Sequence, residues 1–337
     1  MDTLFASSVD FTRWLQTNYP ELAGLMRAIS TLGIFEFYLA IIPLIYWSIH
    51  KQAGKHIAYV ISLASFVNAA LKGFIREPRP YWLDSSIKLD DGIGYGWPSG
   101  HSQLGPTLYF MAAIWARRSW AWGLAVVLTL LMGLSRIYLG VHTWVDVLGG
   151  YFVALLHLVG YGIYVRYVRG RIRNRILGQR LLIVLLVPTI LSTIYFLMRF
   201  VLATADLTVS WAAFIPAAEL QALEDAATGI GMLVGLGVGF LLEASRTNFS
   251  VAGPIWQRAA RYLLGIAILV GLWFGSGQVV PDDPLWLAVP LRILRYAILG
   301  LFMAYWAPAL FVRIGLAPAG PGPEVSLAVN QDSLLKR

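Results

Sequence analysis

The sequence predicts an all-α integral membrane protein: a polytopic helical bundle of about nine transmembrane helices, N-terminus outside and C-terminus cytoplasmic. Three observations carry that prediction. Of 337 residues, 58% are hydrophobic and 13% charged, whereas a soluble domain has about a quarter of its residues charged. The apolar residues gather into runs near the roughly 20 residues that a spanning helix needs. The charges between the runs alternate in kind from loop to loop, as topology signals do.

Ahead of the runs, Phe5, Val9, Phe11, Trp14, Leu15 and Leu22 are spread among polar residues. Residues 1–28 therefore predict an interfacial amphipathic helix anchored by Trp14 and Tyr19, or equally a packed leader helix. Nine candidate spans follow, near residues 29–48, 56–75, 100–116, 121–140, 144–165, 181–201, 226–243, 260–279 and 287–311. Lys51 and Lys55 lie in the first loop and Arg117 and Arg118 in the third. Arg166, Arg169, Arg171, Arg173, Arg175 and Arg180 lie in the fifth, and Arg246, Arg258 and Arg261 in the seventh. The alternate loops hold Asp84, Asp90, Asp91, Asp206, Glu219, Glu224, Asp225, Asp282 and Asp283. The positive-inside rule makes the basic loops cytoplasmic. Lys72, Arg79, His101 and His142 then all fall at outer helix ends.

Residues 203–225 predict a broken interfacial segment or a plain connector near the site entrance. Gly229, Gly231, Gly235, Gly237 and Gly239 predict close helix contact. Arg292 and Arg295 predict snorkelling or pairing with a carboxylate. Residues 316–337, with Pro318, Pro321, Pro323 and Glu324, predict a disordered cytoplasmic tail. The domain plan is thus an interfacial helix over 1–28, a core over 29–165, additional spanning helices over 166–315, and the tail.

The absence of cysteine excludes a disulfide framework and a thiolate zinc site. The formal net charge of +8 is not a nucleic-acid footprint, because its cations sit in short loops between apolar runs. The start, Met1-Asp2-Thr3, lacks the basic region of a secretory signal.

The chemistry gathers in three stretches. Ser135-Arg136 is followed by His142 and Asp146, four apart, so that on a helix the pair would share a face. An aspartate behind a histidine orients the imidazole and supports positive charge on it, and Arg136 adds a donor fork suited to phosphate or carboxylate. A buried histidine satisfied by an aspartate in helix packing explains that stretch alone equally well. Lys72 through Arg79-Pro80 closes one apolar run with three cations, and Pro98-Ser99-Gly100-His101 opens another.

Taken together and in order, these stretches resemble the three-part signature of the type 2 phosphatidic acid phosphatase superfamily, which includes glucose-6-phosphatases and vanadium haloperoxidases. Nine helices, the outer N-terminus, residues 15–19 and the Arg79-Pro80-Tyr81-Trp82 continuation are closest to the glucose-6-phosphatase layout, over about the first half of the chain. The resemblance implies a phosphatase that works without metal or other cofactor. His142 would be the nucleophile, Asp146 its support and His101 the proton donor to the leaving oxygen. Lys72, Arg79, Ser99, Gly100 and Arg136 would bind the phosphate. The implied substrate is a lipid phosphate such as phosphatidate or an isoprenoid diphosphate, with a sugar phosphate as the alternative and a non-enzymatic binder or transporter as a third. A metal set of His101, His142 and Asp146 is opposed by the three cations beside it. The expected setting is a bacterial plasma membrane with the site facing the periplasm or exterior, membrane lipids as partners and no nucleic acid.

Overall fold

A computed structural model describes residues 3–201 and 204–320. The elements in order are α1 (Thr3–Asn18), α2 (Ala23–Ser30), α3 (Phe35–Leu44), α4 (Lys51–Ile75) and α5 (Pro80–Leu83), then α6 (Gly100–Ala116), α7 (Ser119–Tyr138), α8 (Trp144–Ile163) and α9 (Arg169–Arg173). They continue with α10 (Leu177–Val201), α11 (Ile215–Leu242), α12 (Ile255–Gly277), α13 (Leu285–Leu301) and α14 (Ala307–Arg313). No strand occurs among the described residues; a single bridge joins Phe249 to Ala319.

The expected count of nine spans is not confirmed. Among the described residues seven helical stretches are long and apolar enough to cross a membrane, from Lys51–Leu83 to Leu285–Arg313, and eight if a bent pair counts as one. That pair, Pro20–Gly33 and Phe35–Ile49, bends by 56° where the sequence suggests a straight helix over 29–48. The helix expected over 100–116 forms, but α6 has 17 residues, about 26 Å at 1.5 Å per residue against a hydrocarbon core of about 30 Å. Its inner face is polar, with Ser102, Gln103 and Thr107 buried, so it is built for a site rather than for lipid.

The chain divides into two compact units. The first comprises Met1–Leu39, Val60–Asn174 and Pro188–Ile230, and the second Ala40–Tyr59, Arg175–Val187 and Gly231–Arg337, each taken over its described residues. Every candidate site residue belongs to the first. There α1 docks through buried Ser8, Val9, Thr12 and Leu15. Thr12 donates to the Ile137 carbonyl at 3.1 Å, Gln16 to the Ile87 and Tyr138 carbonyls at 2.8 and 2.7 Å, and Ser8 accepts from the Trp144 amide at 3.0 Å. Its opposite face leaves Leu4, Phe11 and Trp14 exposed. The helix is therefore packed on one side, as a leader helix, and apolar on the other, as an interfacial one.

In the second unit the glycines of α11 serve packing. A side chain at Gly231 would come within 2.4 Å of the Ile293 carbonyl, and one at Gly235 within 2.1 Å of the Ala297 carbonyl. Small residues let two helix backbones approach this closely where lipid offers no hydrophobic drive. Arg295 does not meet a carboxylate: it donates to the Trp273 carbonyl at 2.6 Å and to Ser276 at 3.1 Å. Residues 316–320, placed by the sequence in a disordered tail, turn back so that Ser250 donates to the Pro318 carbonyl at 2.9 Å; residues 321–337 lie outside the described residues.

Gly235→Leu should lower thermal stability in detergent by about 2 kcal/mol or more, since the added atoms meet backbone that cannot swing aside. An unchanged melting temperature would contradict the α11–α13 contact.

Candidate active site

The site grows out of two helix ends. Helix α7 closes with a Schellman turn: the Gly140 amide bonds the Ile137 carbonyl at 3.0 Å and the Val141 amide the Arg136 carbonyl at 3.3 Å. Gly140 takes φ +72°, the left-handed conformation this turn requires and glycine adopts without penalty. A Cβ there would lie 2.0 Å from the Ile87 carbonyl oxygen, so the position has neither the dihedral nor the room for another residue. The turn reverses the chain and delivers His142 immediately before α8.

Helix α8 opens with a capping box. Thr143 Oγ1 accepts from the Asp146 amide at 3.1 Å, and Asp146 Oδ2 accepts from the Thr143 amide at 2.8 Å. The same oxygen lies 3.2 Å from His142 Nδ1. His142 thus lies between the two helices, where spans over 121–140 and 144–165 leave it, and the pair meets because Asp146 reaches back over the cap. Both side chains are buried, and the other ring nitrogen, Nε2, faces Arg79 Nη1 at 3.3 Å. Burial, and then the charges of Arg79, Lys72, Arg136 and His101, hold His142 well below the ordinary histidine value of 6.5, because a second positive charge in this place is penalised twice.

Arg79 is fixed by backbone. Nε donates to the Gly94 carbonyl at 2.6 Å, Nη2 to Ile93 at 2.9 Å and Nη1 to Val141 at 3.0 Å. Gly92 leaves it space, since a Cβ would lie 2.6 Å from Nη1. Lys72, in the last turn of α4, is buried and donates to the Tyr95 carbonyl. Arg136 is buried, donates to the Ser30 hydroxyl and stands 3.5 Å from Asp90.

At the start of α6, Ser99 is the N-cap, its hydroxyl accepting from the Ser102 amide at 3.4 Å. Its own amide donates to the Asp146 carbonyl at 3.0 Å, so that amide, expected to face a ligand, instead ties α6 to α8. Gly100 abuts Asn68, whose Oδ1 a Cβ would meet at 3.2 Å. The His101 ring fills the break of the bent pair, where a Cβ on Gly33 would come within 2.3 Å of its Cδ2. His101 Nε2, Arg136 Nε and Asp146 Oδ1 are buried without a hydrogen-bond partner.

All eight predicted residues thus lie in one unit, and Arg79, His142 and Asp146 stand in direct sequence through their side chains. Asn68 was missed: it donates to the Pro98 carbonyl at 3.1 Å and to Gln103 at 2.8 Å, holding the turn before α6. Its place four residues before Lys72, on one face of α4, was a readable signal. Ser30 and Asp90, the partners of Arg136, carry no such signal. Among the described residues no three histidine, aspartate or glutamate side chains are grouped to hold a metal ion.

Three buried cations and a carboxylate-backed histidine thus gather in a unit that contains helices long enough to span a bilayer. Residues 53–173 match the PAP2 superfamily, and residues 227–319 match its phosphatase transmembrane extension. The chain belongs to the PAP2 superfamily. It is similar to sphingosine-1-phosphate phosphatase 2 of Mus musculus, 28% identical over 134 residues, 37% of this chain and 38% of that protein. It is similar also to lipid phosphate phosphatase delta of Arabidopsis thaliana, 25% identical over 153 residues, 41% of this chain and 37% of that one. Phosphatidylglycerophosphatase B of Bacillus subtilis (strain 168) is 29% identical over 150 residues, 41% of this chain and 72% of that protein. The matched region therefore spans little more than a third of the first two relatives. No solved structure matches the chain.

Gly140→Ala should destabilise the protein by about 2 kcal/mol or more, from left-handed strain together with the backbone clash; thermal unfolding in detergent would register it. His142 should titrate well below 6.5, followed through labelled histidine resonances with His142→Ala for assignment. A midpoint at or above 6.5 would contradict the cationic pocket.

Proposed function

We propose that this protein is a lipid phosphate phosphatase that works through a phosphohistidine intermediate on His142, with the pocket on the outer membrane face. One observation carries the reading: a buried histidine held at 3.2 Å by a carboxylate and faced at 3.3 Å by a backbone-locked guanidinium. Phosphoryl transfer needs positive charge on three equatorial oxygens and an in-line nucleophile, and this arrangement supplies both without a metal.

His142, kept neutral by its surroundings, attacks phosphorus through Nε2, and Asp146 at Nδ1 supports the charge the ring gains. Lys72, Arg79 and Arg136 carry the phosphoryl oxygens, helped by the Ser99 hydroxyl and the Gly100 backbone. Once the phosphate dianion offsets the cations, His101 can hold a second ring proton, and it hands that proton to the ester oxygen as the bond from phosphorus to that oxygen breaks, releasing the alcohol. His101 then takes a proton from water, whose oxygen attacks the phosphohistidine; the P–N bond breaks and phosphate leaves. The unpartnered Nε2 of His101 and Nε of Arg136 are the buried groups a phosphate would satisfy.

The lipid class rests on the relatives' names and on the spanning helices around the site. The basic loops fall at helix ends away from the motif residues, which supports the outer face by the positive-inside rule. A sugar phosphate, as in the glucose-6-phosphatase layout, stays as an outcome of the test.

The test is phosphate release by purified protein in detergent with excess chelator, from phosphatidate, an isoprenoid diphosphate and glucose 6-phosphate side by side. Release from a lipid is expected. His142→Ala should abolish it, and Asp146→Asn should slow it by about 10²- to 10⁴-fold. Full activity in the histidine variant would sink the mechanism, and release from the sugar phosphate alone would overturn the lipid reading.

A further inference from the structure

Outside the three motifs, one carboxylate gathers an unusual number of partners. Glu219, in the first turns of α11, takes Arg76 Nε at 2.8 Å and the Tyr95 hydroxyl at 2.7 Å on Oε1, and Arg199 Nη2 at 2.6 Å on Oε2. Its side chain and that of Arg76 are each 20% exposed, enough burial to make an unpaired charge costly. The three partners come from places far apart in sequence: the end of α4, the end of α10 and the loop before α6.

Each partner meets Lys72 or the residue after it. Arg76 follows Lys72 by one helical turn, its amide bonding the Lys72 carbonyl at 3.0 Å. Arg199 passes over Gly73, where a Cβ would lie 3.2 Å from Nη1. Tyr95 supplies the backbone carbonyl that receives the Lys72 ammonium. Phe214, just ahead of α11, stacks on Trp82 at 5.1 Å and 5°, so the start of α11 covers this loop with apolar contact as well.

Arg76 also holds a conformation its side chain does not favour. Its φ is 56°, at the point where a helix ends in the left-handed region and glycine is usual. Strain of this kind persists where surrounding contacts over-determine it, and the ion pair with Glu219 is one such contact.

We propose that Glu219 is a positioning residue: its carboxylate clamps Arg76, Arg199 and Tyr95 so that the Tyr95 carbonyl, and with it the Lys72 ammonium, stands in register with Arg79 and His142. This rests on the proposed phosphatase reading for its pocket but not for its geometry. It gives the start of α11 and the end of α10 a task in phosphate binding, although neither carries a motif residue. Arg76 and Tyr95 also wall a cavity of about 140 Å³ with Asp206, Val209 and Trp211.

The experiment compares wild type, Glu219→Gln and Arg76→Gly in detergent. Melting temperature, phosphate release from phosphatidate, and inhibition by inorganic phosphate are measured on each. Arg76→Gly relieves the left-handed dihedral and leaves Arg199 paired with Glu219, so it should still fold, with a melting temperature no lower than that of Glu219→Gln. Both variants should lose about 10- to 100-fold in kcat/KM, the usual scale for groups that orient a binding residue. Their inhibition constant for inorganic phosphate should weaken in parallel. A change that only unfolds part of the sample lowers the maximal rate and leaves that constant unchanged; this result, or full activity in Arg76→Gly, would overturn the clamp. Wild-type protein that neither releases nor binds phosphate would overturn the phosphatase reading instead, a separate outcome read from the wild-type arm.

Discussion

Everything in the first unit answers to one constraint: three cations must be kept close together where water is scarce. Lys72, Arg79 and Arg136 are each less than a tenth exposed. Charges taken out of water are costly unless oxygens satisfy them, and like charges add repulsion to that. The chain offsets this with oxygen rather than with an equal count of carboxylates. Arg79 spends its guanidinium on the carbonyls of Ile93, Gly94 and Val141, and Lys72 bonds the carbonyl of Tyr95. Carbonyl dipoles hold the cations without cancelling their charge, so the pocket stays electropositive. Among the described residues Arg136 alone of the three pairs with a carboxylate, and Asp90 stands off at 3.5 Å.

Irregular backbone follows from the same need. A helix uses its own carbonyls, so donors of this kind can be served only by turns and loops. The chain supplies them at helix ends: the Schellman turn after α7, the loop over residues 92–95, and the capping box that opens α8. Each leaves carbonyls or amides facing inward and protects them by burial against neighbouring helices. Glycine appears where this demands it, at Gly92 for the Arg79 guanidinium and at Gly140 for the Ile87 carbonyl. Helix α1 then lies across the turn on both sides of His142, tying Ile137, Tyr138 and Trp144 through Thr12, Gln16 and Ser8.

Much of the site could be read from sequence because it is encoded locally. Arg136, Gly140, His142, Thr143 and Asp146 are a helix end, a turn and a helix start within eleven residues, and their spacing reflects that short path. The all-helical architecture was legible for the same reason, since an apolar run is a local property. What could not be read depends on long-range partners. Glu219 meets Arg76 across 143 residues and Tyr95 across 124, and no periodicity links them. The number of spans was less legible, for a different reason. A run of apolar residues states length and composition, but the bend at Gly33 and the shortness of α6 are set by what packs there, the His101 ring in one case and a buried polar face in the other.

The histidine and the cations also constrain one another. On the proposed mechanism His142 must be neutral to attack, and burial first, then the cations that would bind the phosphate, keep a proton off it. Entry of a phosphate dianion reverses that field: the cations gain their counter-charge, and positive charge on His142 becomes tolerable as its bond to phosphorus forms. On the proposed mechanism the free protein thus stores an electrostatic tension that substrate relieves, and Asp146, already bonded to Nδ1, is placed to complete the relief. Such a pocket would favour the anion over its neutral alcohol product by charge alone. It would leave selectivity among alcohols to the surfaces beyond Tyr95 and Arg76. A superfamily can then keep one phosphate site while helices outside the motifs, such as α10 and α11 here, vary what is brought to it.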